Sequence, residues 1–384
     1  MLKIAFLIRD LNFGGAQKQL LTLVKGINQQ NFDVTVLYFY SGGALEKDLK
    51  DNEIKLICLE KRQRWDVFGF FSRLVQHLKH IQPDVLHGYL GESNLLTIFL
   101  KPFFPSTRMI WGVRESGDAS SNLYGWLGRF LSQLEYILAP WSDLIVFNSH
   151  AGKDYYLDHG VPANKIMVIP NGIDTECFKP DPESRAKVRL EWGIPENTIL
   201  IGLVGRLDPR KDHPTFLRAA ALLCQEIQDL RFVCVGGTKN QAQELYQQEL
   251  YQLTEELGIS ERVIWAGARA DMPAVHNALD ISVSSSYTEG FPNVIGEAMS
   301  CGVPCVVTDV GDSAWIVGDS SLIVAPRDPE ALKKCIHSLI ENLGTNNYSK
   351  EKIRQQITEN FSVFQLVLKT EAVFLRLSHE SSCK

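Results

Sequence analysis

The sequence has no hydrophobic run of the roughly 18 residues that a membrane-spanning helix needs. Its first stretch, MLKIAFLIRDLNFGG, holds only a short apolar run that ends at Arg9 and Asp10, and it lacks the cleavage site of a secretory signal peptide. Positive charge is not in excess either, because the net charge is −6 at pH 7. We therefore expect a cytoplasmic protein that does not bind nucleic acid through bulk charge.

Two common cofactor patterns are also absent. No stretch matches G-x-G-x-x-G, so the interpretation as a dinucleotide-dependent dehydrogenase loses its main support. Cys301 and Cys305 form the pair CGVPC, but no second pair or nearby histidine completes a zinc site. We expect the cysteines to be reduced, and mostly buried as small apolar residues.

The chain instead shows a regular alternation of short β-branched runs and longer amphipathic stretches. In residues 16–30, for example, Leu20, Leu23, Val24 and Ile27 recur at helical spacing. This alternation predicts an α/β fold in which helices cover both faces of parallel sheets. The predicted strands cover residues 3–8, 33–40, 54–59, 84–88, 108–113, 143–148, 165–170, 198–205, 231–236, 262–267, 280–285, 303–309 and 321–325.

The alternation is interrupted once, by PNGIDTECFKPDPES, which is rich in proline, glycine and aspartate. A chain of 384 residues with 45% hydrophobic residues is long enough for two domains. We therefore predict a Rossmann-like domain over residues 1–170, a linker over 171–184 and a second Rossmann-like domain over 185–360. Residues 361–384 are predicted to form a helix that packs back on the first domain.

Ligands of such sheets bind beyond the carboxyl ends of the strands, so the loops there form the candidate site. The first loop carries Gly14 and Gly15 before a helix, which suits an anion close to the backbone but also an ordinary tight turn. A second loop, GLVGRLDPRKDH, carries Arg206 and Lys211, two cations suited to a diphosphate. The alternative is a solvated basic loop in which the loop's own aspartates pair with these cations.

A third loop begins the stretch EGFPNVIGE, in which Glu289 and Glu297 stand eight positions apart. Glu289 ends a predicted strand, and Pro292 suits the first turn of the helix that follows. Because Glu297 lies more than a turn inside that helix, we do not expect a close pair of catalytic acids. We expect each glutamate to hold a different part of one elongated ligand, with free helix N–H groups facing an anion. The alternatives are a helix-dipole partner for Glu289 and a solvent-facing position for Glu297.

These motifs, in this order and at this spacing, resemble a known family. EGFPNVIGE resembles the E-x7-E motif of retaining GT-B glycosyltransferases, and glycosyltransferase family 4 is the most similar family. GGAQKQL, GLVGRLDPRKDH, AMSCGVPCVVTDVGDSAWIV and the stretch from FNSHAGKDYY to GIDTECFKP resemble further parts of that family. The resemblance covers nearly the whole chain. It implies the GT-B fold, in which two Rossmann-like domains face each other across a cleft.

The resemblance further implies that a nucleotide-sugar donor binds mainly to the C-terminal domain and the acceptor to the N-terminal domain. Arg206 and Lys211 would bind the donor diphosphate and stabilise the charge that develops as it leaves. Glu289 would bind the sugar hydroxyls and Glu297 the ribose hydroxyls. Arg206, Lys211 and Glu289 are thus the expected catalytic residues. Other implied donor contacts are the helix start at Gly290, Phe291, Pro292 and Asn293, the loop glycines Gly14 and Gly15, and Ala268 and Arg269 near the base.

The implied reaction is a retaining hexosyl transfer from a nucleoside-diphosphate sugar, with a UDP-sugar favoured over a GDP-sugar. The acceptor would be a hydroxyl of a glycan or lipid-linked substrate in the synthesis of surface polysaccharide or another glycoconjugate. No Asp-x-Asp motif follows a predicted strand, and the two cations would do the charge work of a metal, so we expect no metal and no cofactor. Two alternatives stay open: a non-hydrolysing nucleotide-sugar epimerase, and a non-catalytic GT-B subunit that binds a partner.

The chain departs from the family near the end of the fifth strand, where many members carry a histidine. The stretch MIWGVRESGD places Arg114 at about that position, and an arginine cannot act as a base. Arg114 is expected to bind a sugar hydroxyl or an acceptor phosphate, or else to pair with Glu115 or Asp118. His87, after the predicted strand PDVL, is the other candidate for the acceptor pocket, although a lone histidine more often has a structural role.

Two aromatic segments, FLKPFFP (99–105) and NLYGWLGRFLSQLEYILAPW (122–141), carry few charges. We favour the interpretation that they pack the helices of the first domain. The alternative is that they receive a lipid-linked acceptor or contact the inner face of a membrane. A small basic and aromatic cluster is either a solvated loop or a contact for anionic lipid. It comprises Lys61, Arg62, Arg64 and Trp65.

Overall fold

The computed structural model describes residues 1–12, 14–63, 65–114 and 125–382. The chain divides into two compact units, the first formed by Met1–Gly172 with Val363–Lys384 and the second by Ile173–Ser362. Each unit is built on one parallel sheet. The predicted α/β class with two Rossmann-like parallel sheets is therefore confirmed.

The first unit contains a seven-stranded sheet with helices on both faces. Its strands are β1 (Leu2–Ile8), β2 (Phe32–Tyr38), β3 (Lys55–Cys58), β4 (Val85–Tyr89), β5 (Arg108–Val113), β6 (Leu144–Phe147) and β7 (Ile166–Val168). Its helices are α1 (Gly15–Gly26), α2 (Glu46–Asp51), α3 (Val67–Ile81), α4 (Gly91–Leu100), α5 (Gly125–Leu138), α6 (His150–Asp158) and the C-terminal helix (Val363–Ser382). The strand order is β3-β2-β1-β4-β5-β6-β7, so β1 and β4 are neighbours at the centre.

The second unit contains a six-stranded sheet of the same kind. Its strands are β8 (Ile199–Val204), β9 (Leu230–Val235), β10 (Val263–Gly267), β11 (Ile281–Ser284), β12 (Cys305–Thr308) and β13 (Ile323–Val324). Its helices are α7 (Pro182–Glu191), α8 (His213–Cys224), α9 (Gln241–Glu256), α10 (Met272–Ala278), α11 (Asn293–Ser300), α12 (Ser313–Val317), α13 (Pro329–Asn342) and α14 (Lys350–Asn360). The strand order β10-β9-β8-β11-β12-β13 places β8 beside β11.

Short 3-10 turns connect several of these elements. They are Lys101–Phe103, Ala139–Trp141, Ala163–Lys165, Pro209–Lys211, Ser260–Arg262, Ser320–Leu322 and Asn346–Tyr348. All thirteen predicted strands are present in the described chain, and their ends differ from the prediction by at most two residues. The sequence pattern located the strands well because buried parallel strands are short, nearly continuous apolar runs.

The C-terminal helix returns to the first unit, as predicted, and begins at Val363. It packs against α1 over the face of the sheet where Leu20 and Phe374 are buried. Close packing is visible at Gly26 of α1, where a Cβ atom would lie 2.6 Å from Val367 Cγ2. This helix therefore completes one layer of the first unit.

The predicted linker over residues 171–184 is wrong in its extent. The division between the units falls between Gly172 and Ile173, and the residues that follow belong to the second unit. Ile173 and Phe178 are buried in its core, and α7 already begins at Pro182. The Arg354 guanidinium also donates hydrogen bonds to backbone carbonyl oxygens in this segment. Asp174 and Asp181 accept hydrogen bonds from the backbone amides that follow them, and the apolar residues between them anchor the segment.

Candidate functional site

The carboxyl edge of the second sheet carries the residues predicted to bind the donor. β8 and β11 are neighbours, although two other strands lie between them in the chain. Open α/β sheets bind ligands at such a switch in strand order. The loop after β8 holds Arg206 and Lys211, and the loop after β11 holds Glu289. The three predicted catalytic residues therefore share one edge of one sheet.

Lys211 and Glu289 form an ion pair that joins these two loops. Lys211 Nζ lies 2.5 Å from Glu289 Oε1, and Ser286 Oγ donates a hydrogen bond of 2.7 Å to the same oxygen. Gly205 leaves room for the lysine, because a Cβ atom there would lie 3.3 Å from Lys211 Cε. A cation and a carboxylate thus stand side by side at the switch point.

Backbone contacts also join the two loops. Ser285 Oγ donates hydrogen bonds to the carbonyl oxygens of Lys211 and Asp212, at 2.9 and 3.0 Å. The amide of Tyr287 donates to the carbonyl oxygen of Arg210 at 3.0 Å. These bonds join the two loops directly. The charged groups are therefore preorganised, which is the condition under which they stabilise developing charge most strongly.

The aspartates of the β8 loop have partners other than the two predicted cations. Asp208 accepts two hydrogen bonds from the Arg210 guanidinium, at 2.9 and 3.0 Å, and these bonds are the main reason why the pKa of Asp208 is lowered to about 2. Asp212 caps α8 by accepting hydrogen bonds from Thr215. Arg206 is exposed, and its side chain forms no hydrogen bond or ion pair with the residues described. The alternative of a self-neutralised basic loop therefore does not fit Arg206.

The start of α11 lies directly after Glu289. Pro292 occupies the N-cap position with an extended backbone, one residue before the first helical turn in which it was predicted. Phe291 is buried, and its ring centroid lies 6.4 Å from that of Trp315 and 5.7 Å from that of Phe361. Only the backbone of Phe291 is therefore placed to face a ligand, whereas the predicted donor contact did not distinguish backbone from side chain.

A third loop, after β12, packs against the backbone of Glu289 and Gly290. Gly311 has a positive φ of 55°, and a Cβ atom there would lie 2.4 Å from the carbonyl oxygen of Glu289 and 2.6 Å from that of Gly290. The amide of Asp312 donates a hydrogen bond of 2.9 Å to the Gly290 carbonyl oxygen. No side chain fits at position 311 unless this backbone moves. The β12 loop thus fixes the position of the β11 loop from its other side.

Glu297 has a different partner from Glu289. His276 of α10 lies beside it, with a distance of 3.6 Å from His276 Nε2 to Glu297 Oε2. The His276 side chain is fully buried, and that of Glu297 is 15% exposed. The two glutamates therefore belong to separate pairs, in agreement with the expectation that they do not form a dyad. Sequence reasoning missed His276, because it lies on another helix and no local motif marks it.

The loop predicted to lie near the base follows β10. Ala268 is exposed there. Arg269 forms ion pairs with Glu191 and Asp271, and its guanidinium carbon lies 5.9 Å from the ring centroid of Trp192. These contacts give Arg269 a structural role in the second unit. Contact of Ala268 and Arg269 with the base stays a prediction.

Gly14 and Gly15 lie at the start of α1, after β1 in the first unit. Gly15 is the first helical residue, and no atom lies within 4 Å of the position that its Cβ would occupy. Gly14 has an extended backbone, with φ −158°, and a Cβ there would meet the flexible side chain of Gln17. Packing within the unit therefore does not require either glycine. Their predicted contact with phosphate stays a prediction.

His87 does not belong to an acceptor pocket, and this prediction is wrong. β4 continues to Tyr89, so His87 lies within the strand rather than after it. Its ring is buried against Phe6, Tyr89 and Phe374, and neither ring nitrogen has a hydrogen-bond partner among the described residues. Burial, with a smaller effect of Arg114, lowers the pKa of His87 well below 6.5. The side chain is a neutral part of the core.

Arg114 follows β5 and is held by aromatic and amide groups. Its guanidinium carbon lies 4.7 Å from the ring centroid of Tyr89, and it donates hydrogen bonds to Tyr89 Oη at 2.7 Å and to Asn171 Oδ1 at 3.2 Å. The alternative partners Glu115 and Asp118 lie outside the described residues. The structure thus places Arg114 at the carboxyl edge of the first sheet, with its planar group fixed in one orientation.

The first unit also exposes large aromatic side chains. Trp65 and Phe68, near the start of α3, are 84% and 91% exposed. Phe99 and Phe103, at the end of α4, are each more than half exposed. The Phe103 ring packs edge-on against Phe71 of α3, at 5.8 Å between centroids, so the turn after α4 contacts α3. We call Trp65, Phe68, Phe99 and Phe103 the aromatic face.

The second aromatic segment divides between the core and the surface. Leu138 and Ala139 are buried, whereas Phe130, Ile137 and Trp141 are exposed. Packing of the first domain thus explains part of this segment. Residues 122–124 and Arg64 of the predicted basic cluster lie outside the described residues. Within the described ranges, no helix combines the length and the apolar character that crossing a bilayer requires.

Comparisons with known proteins agree with this architecture. Residues 13–177 match the family profile of Glycosyltransferase Family 4, and residues 184–356 match that of Glycosyl transferases group 1. The chain is 28% identical to an Escherichia coli UDP-Gal:alpha-D-GlcNAc-diphosphoundecaprenol alpha-1,3-galactosyltransferase, over 86% of this chain and 80% of that protein. It is 26% identical to a Campylobacter jejuni GalNAc-alpha-(1->4)-GalNAc-alpha-(1->3)-diNAcBac-PP-undecaprenol alpha-1,4-N-acetyl-D-galactosaminyltransferase, over 92% of each chain.

Solved structures share the fold. The crystal structure of Anabaena HepE in complex with UDP matches with a TM-score of 0.84 and 22% identity, over 98% of this chain and all of that one. The two family matches lie end to end and together span most of the chain. The chain is therefore a glycosyltransferase of the GT-B fold and belongs to the group 1 and family 4 glycosyltransferases.

Proposed function

We propose that the enzyme transfers a hexosyl group, with retention of configuration, from a nucleoside-diphosphate sugar to a hydroxyl of a glycan or lipid-linked acceptor. The observation that carries this proposal is the Lys211–Glu289 ion pair beside Arg206 at the switch point of the second sheet. A donor of this class needs cations for its diphosphate and a carboxylate for its sugar hydroxyls. The site offers both, on loops that are joined by hydrogen bonds.

In this proposal the cations act on the leaving group. As the bond from the sugar to the β-phosphate breaks, negative charge grows on the diphosphate, and Arg206 and Lys211 stabilise it more in the transition state than in the ground state. The N-terminus of α11 adds the positive end of its helix dipole. Since Glu289 already accepts hydrogen bonds from Lys211 and Ser286, we assign it to hold the sugar rather than to attack it as a nucleophile.

We also propose that the transfer needs no divalent metal. A metal would neutralise the diphosphate and assist its departure. Two cationic side chains and a helix N-terminus can supply that charge at the same place. Adding a chelator should therefore leave the transfer rate unchanged, and a requirement for added magnesium or manganese would contradict this part of the proposal.

We propose a UDP-sugar as the donor. The E. coli relative uses UDP-Gal by its name, and the Anabaena neighbour was solved with UDP. A mycobacterial relative, 28% identical over about half of each chain, is GDP-mannose-dependent, so the nucleotide needs a direct test. We would measure the thermal stability of the enzyme with UDP and with GDP, and the slow hydrolysis of each UDP- and GDP-sugar. Stabilisation by GDP alone would refute the choice of UDP, and stabilisation by neither would refute the donor site.

The role of Lys211 has a direct test. Lys211→Ala removes the cation that contacts Glu289, and we expect turnover to fall by about 10²- to 10³-fold, which is the usual effect of removing one such electrostatic contact. The matched control is Lys334→Ala, which removes an exposed lysine of α13 in the same unit. Turnover and the unfolding midpoint are measured for both variants. A folded Lys211→Ala enzyme with unchanged turnover would remove Lys211 from the site.

We further propose that the first unit binds the acceptor and rests on a membrane surface, where a lipid-linked acceptor is found. The names of the E. coli and Campylobacter relatives contain diphosphoundecaprenol and PP-undecaprenol, and these two relatives match over most of their length. The aromatic face supplies the apolar side chains that partition into an interface, and Arg62 adds an exposed positive charge beside Trp65. A position at the membrane surface suits an enzyme that synthesises surface polysaccharide or another glycoconjugate.

Membrane contact is tested by sedimentation with vesicles of phosphatidylcholine and phosphatidylglycerol. The Trp65→Ser/Phe68→Ser variant should lose most of the vesicle-bound fraction. The control is Leu190→Ser/Leu245→Ser, which changes two exposed leucines of the second unit. Equal binding of the two variants, or no binding of the unchanged enzyme, would contradict the proposal that the aromatic face contacts lipid.

A further inference from the structure

His276 is a buried polar side chain without a hydrogen bond. Its side chain is fully buried on α10, and neither Nδ1 nor Nε2 has a hydrogen-bond partner among the described residues. One side of the ring packs against Phe178, at 5.9 Å between centroids. Nε2 is directed toward Glu297 Oε2, at 3.6 Å. The proposed transfer of the sugar does not involve this imidazole.

The neighbouring polar side chain on the same helix, that of Asn277, is hydrogen-bonded. Asn277 accepts a hydrogen bond from the Asp181 amide at 2.8 Å and donates to the carbonyl oxygens of Lys179 and Pro273 at 2.9 Å. Buried polar groups in proteins are nearly always paired, and an unpaired one is costly. A valine or leucine would fill an apolar site at no such cost. The buried imidazole of His276 therefore needs a hydrogen-bond partner, and Glu297 is the group that it faces.

The remaining gap is small. A hydrogen bond between an N–H group and a carboxylate oxygen is about 2.7–2.9 Å long, so a shift of under about 1 Å in the Glu297 side chain closes the distance. A neutral imidazole carries its proton on one nitrogen, and a proton on Nε2 makes that atom the donor. Glu297 lies on α11 and is the partly exposed member of the pair, so it is the one that can also meet a ligand.

We propose that His276 is a positioning residue for Glu297. It donates its Nε2 proton to Glu297 Oε2 and so orients the carboxylate toward the ribose hydroxyls of the donor nucleotide. This inference rests on the proposed function and on the ribose contact that the family resemblance implies for Glu297. Ribose contacts do not change during sugar transfer, so the loss of His276 should raise KM for the donor and leave kcat nearly unchanged.

The test compares ribose recognition in four proteins: the unchanged enzyme, His276→Phe, His276→Gln and Glu297→Gln. The ligands are UDP and GDP, each with its 2′,3′-dideoxy form, and Kd is measured by titration calorimetry. We expect His276→Phe to weaken binding of the preferred nucleotide by about tenfold, a moderate hydrogen-bond effect, and to change binding of its dideoxy form by less than about twofold. His276→Gln keeps an N–H donor at about the same reach and should restore most of the affinity.

The double variant His276→Phe/Glu297→Gln should bind the nucleotide no more weakly than Glu297→Gln alone, because both changes act through one carboxylate. Equal losses for the ribose and dideoxy forms, a lower kcat with unchanged KM, or no rescue by glutamine would overturn the role of His276.

If Glu297→Gln itself leaves nucleotide binding unchanged, the proposed ribose contact of Glu297 fails, and this inference fails with it. If Glu297→Gln weakens binding and His276→Phe does not, only the role of His276 fails. If His276→Phe does not fold, the nucleotide affinities of His276→Gln and His276→Asn are compared instead, because the shorter asparagine side chain cannot reach Glu297.

Discussion

Gly311→Ala perturbs the β11 loop, which carries Glu289, without changing a charged group. Gly311 has a positive φ of 55°, and a Cβ atom there would lie 2.4 Å from the Glu289 carbonyl oxygen and 2.6 Å from that of Gly290. Both neighbours are backbone atoms, so no side chain can swing aside. The substitution must displace the segment that positions Glu289, or the glycine loop itself.

The size of the displacement follows from these distances. Cβ contacts below 3.0 Å essentially do not occur, so the Cβ and the Glu289 carbonyl oxygen must separate by a further 0.6 Å or more, the difference between 3.0 and 2.4 Å. A misplacement of about 1 Å in an active site can reduce the rate by about 100-fold. We therefore expect turnover to fall by about 10- to 100-fold. We also expect the left-handed backbone to cost about 1 kcal/mol of stability, and the clash about 1–3 kcal/mol more.

The control is Gly258→Ala, which isolates the backbone effect. Gly258 lies in the same unit with a φ of 67°, and no atom lies within 4 Å of its Cβ position. Gly258→Ala should lose about 1 kcal/mol of stability and no activity. The assays are urea unfolding and initial transfer rates with the donor found in the nucleotide-sugar panel. If the two variants lose the same stability and keep the same turnover, the claim that the β12 loop positions Glu289 is refuted.

Two further predictions concern buried ionisable groups in the second unit. Burial is the main reason why the pKa of His213 is lowered to about 4. As the pH falls, the unfolded chain therefore protonates His213 before the folded protein does. We expect the contribution of this neutral histidine to the free energy of unfolding to be complete above pH 6.5 and to fall by about 3 kcal/mol as the pH drops to 4. Urea titrations at stepped pH should show a smaller slope for His213→Phe. Arg189 is buried, pairs with Asp280 and donates hydrogen bonds to several backbone carbonyl oxygens. Arg189→Met should lower the free energy of unfolding by about 3 kcal/mol. The control, Arg231→Met, changes an arginine that has no ion pair among the residues described and should lower the free energy of unfolding by much less. Equal losses would contradict the role of the buried pair.

Much of the fold could be predicted from the sequence, because burial of parallel strands and the amphipathic spacing of helices are local patterns. The same patterns placed Arg206, Lys211 and Glu289 at strand ends. His87 shows the limit of this reasoning. The interpretation of His87 as a loop residue assumed that its strand ends at Leu86, whereas β4 continues to Tyr89. Successive side chains of a strand point to opposite faces, so an error of a few residues at a strand end decides whether a side chain meets a ligand or the core.

The sequence alone determined which segments form strands, which loops follow them, and which charged residues those loops carry. Only the tertiary structure decided which of these groups meet. Lys211 pairs with Glu289, 78 positions further along the chain, because β8 and β11 are neighbours in the sheet. Glu297 faces His276 because α10 and α11 pack together, and Gly311 lacks a side chain because two backbones approach closely there. Contacts of this kind depend on strand order and helix packing, which no local periodicity encodes.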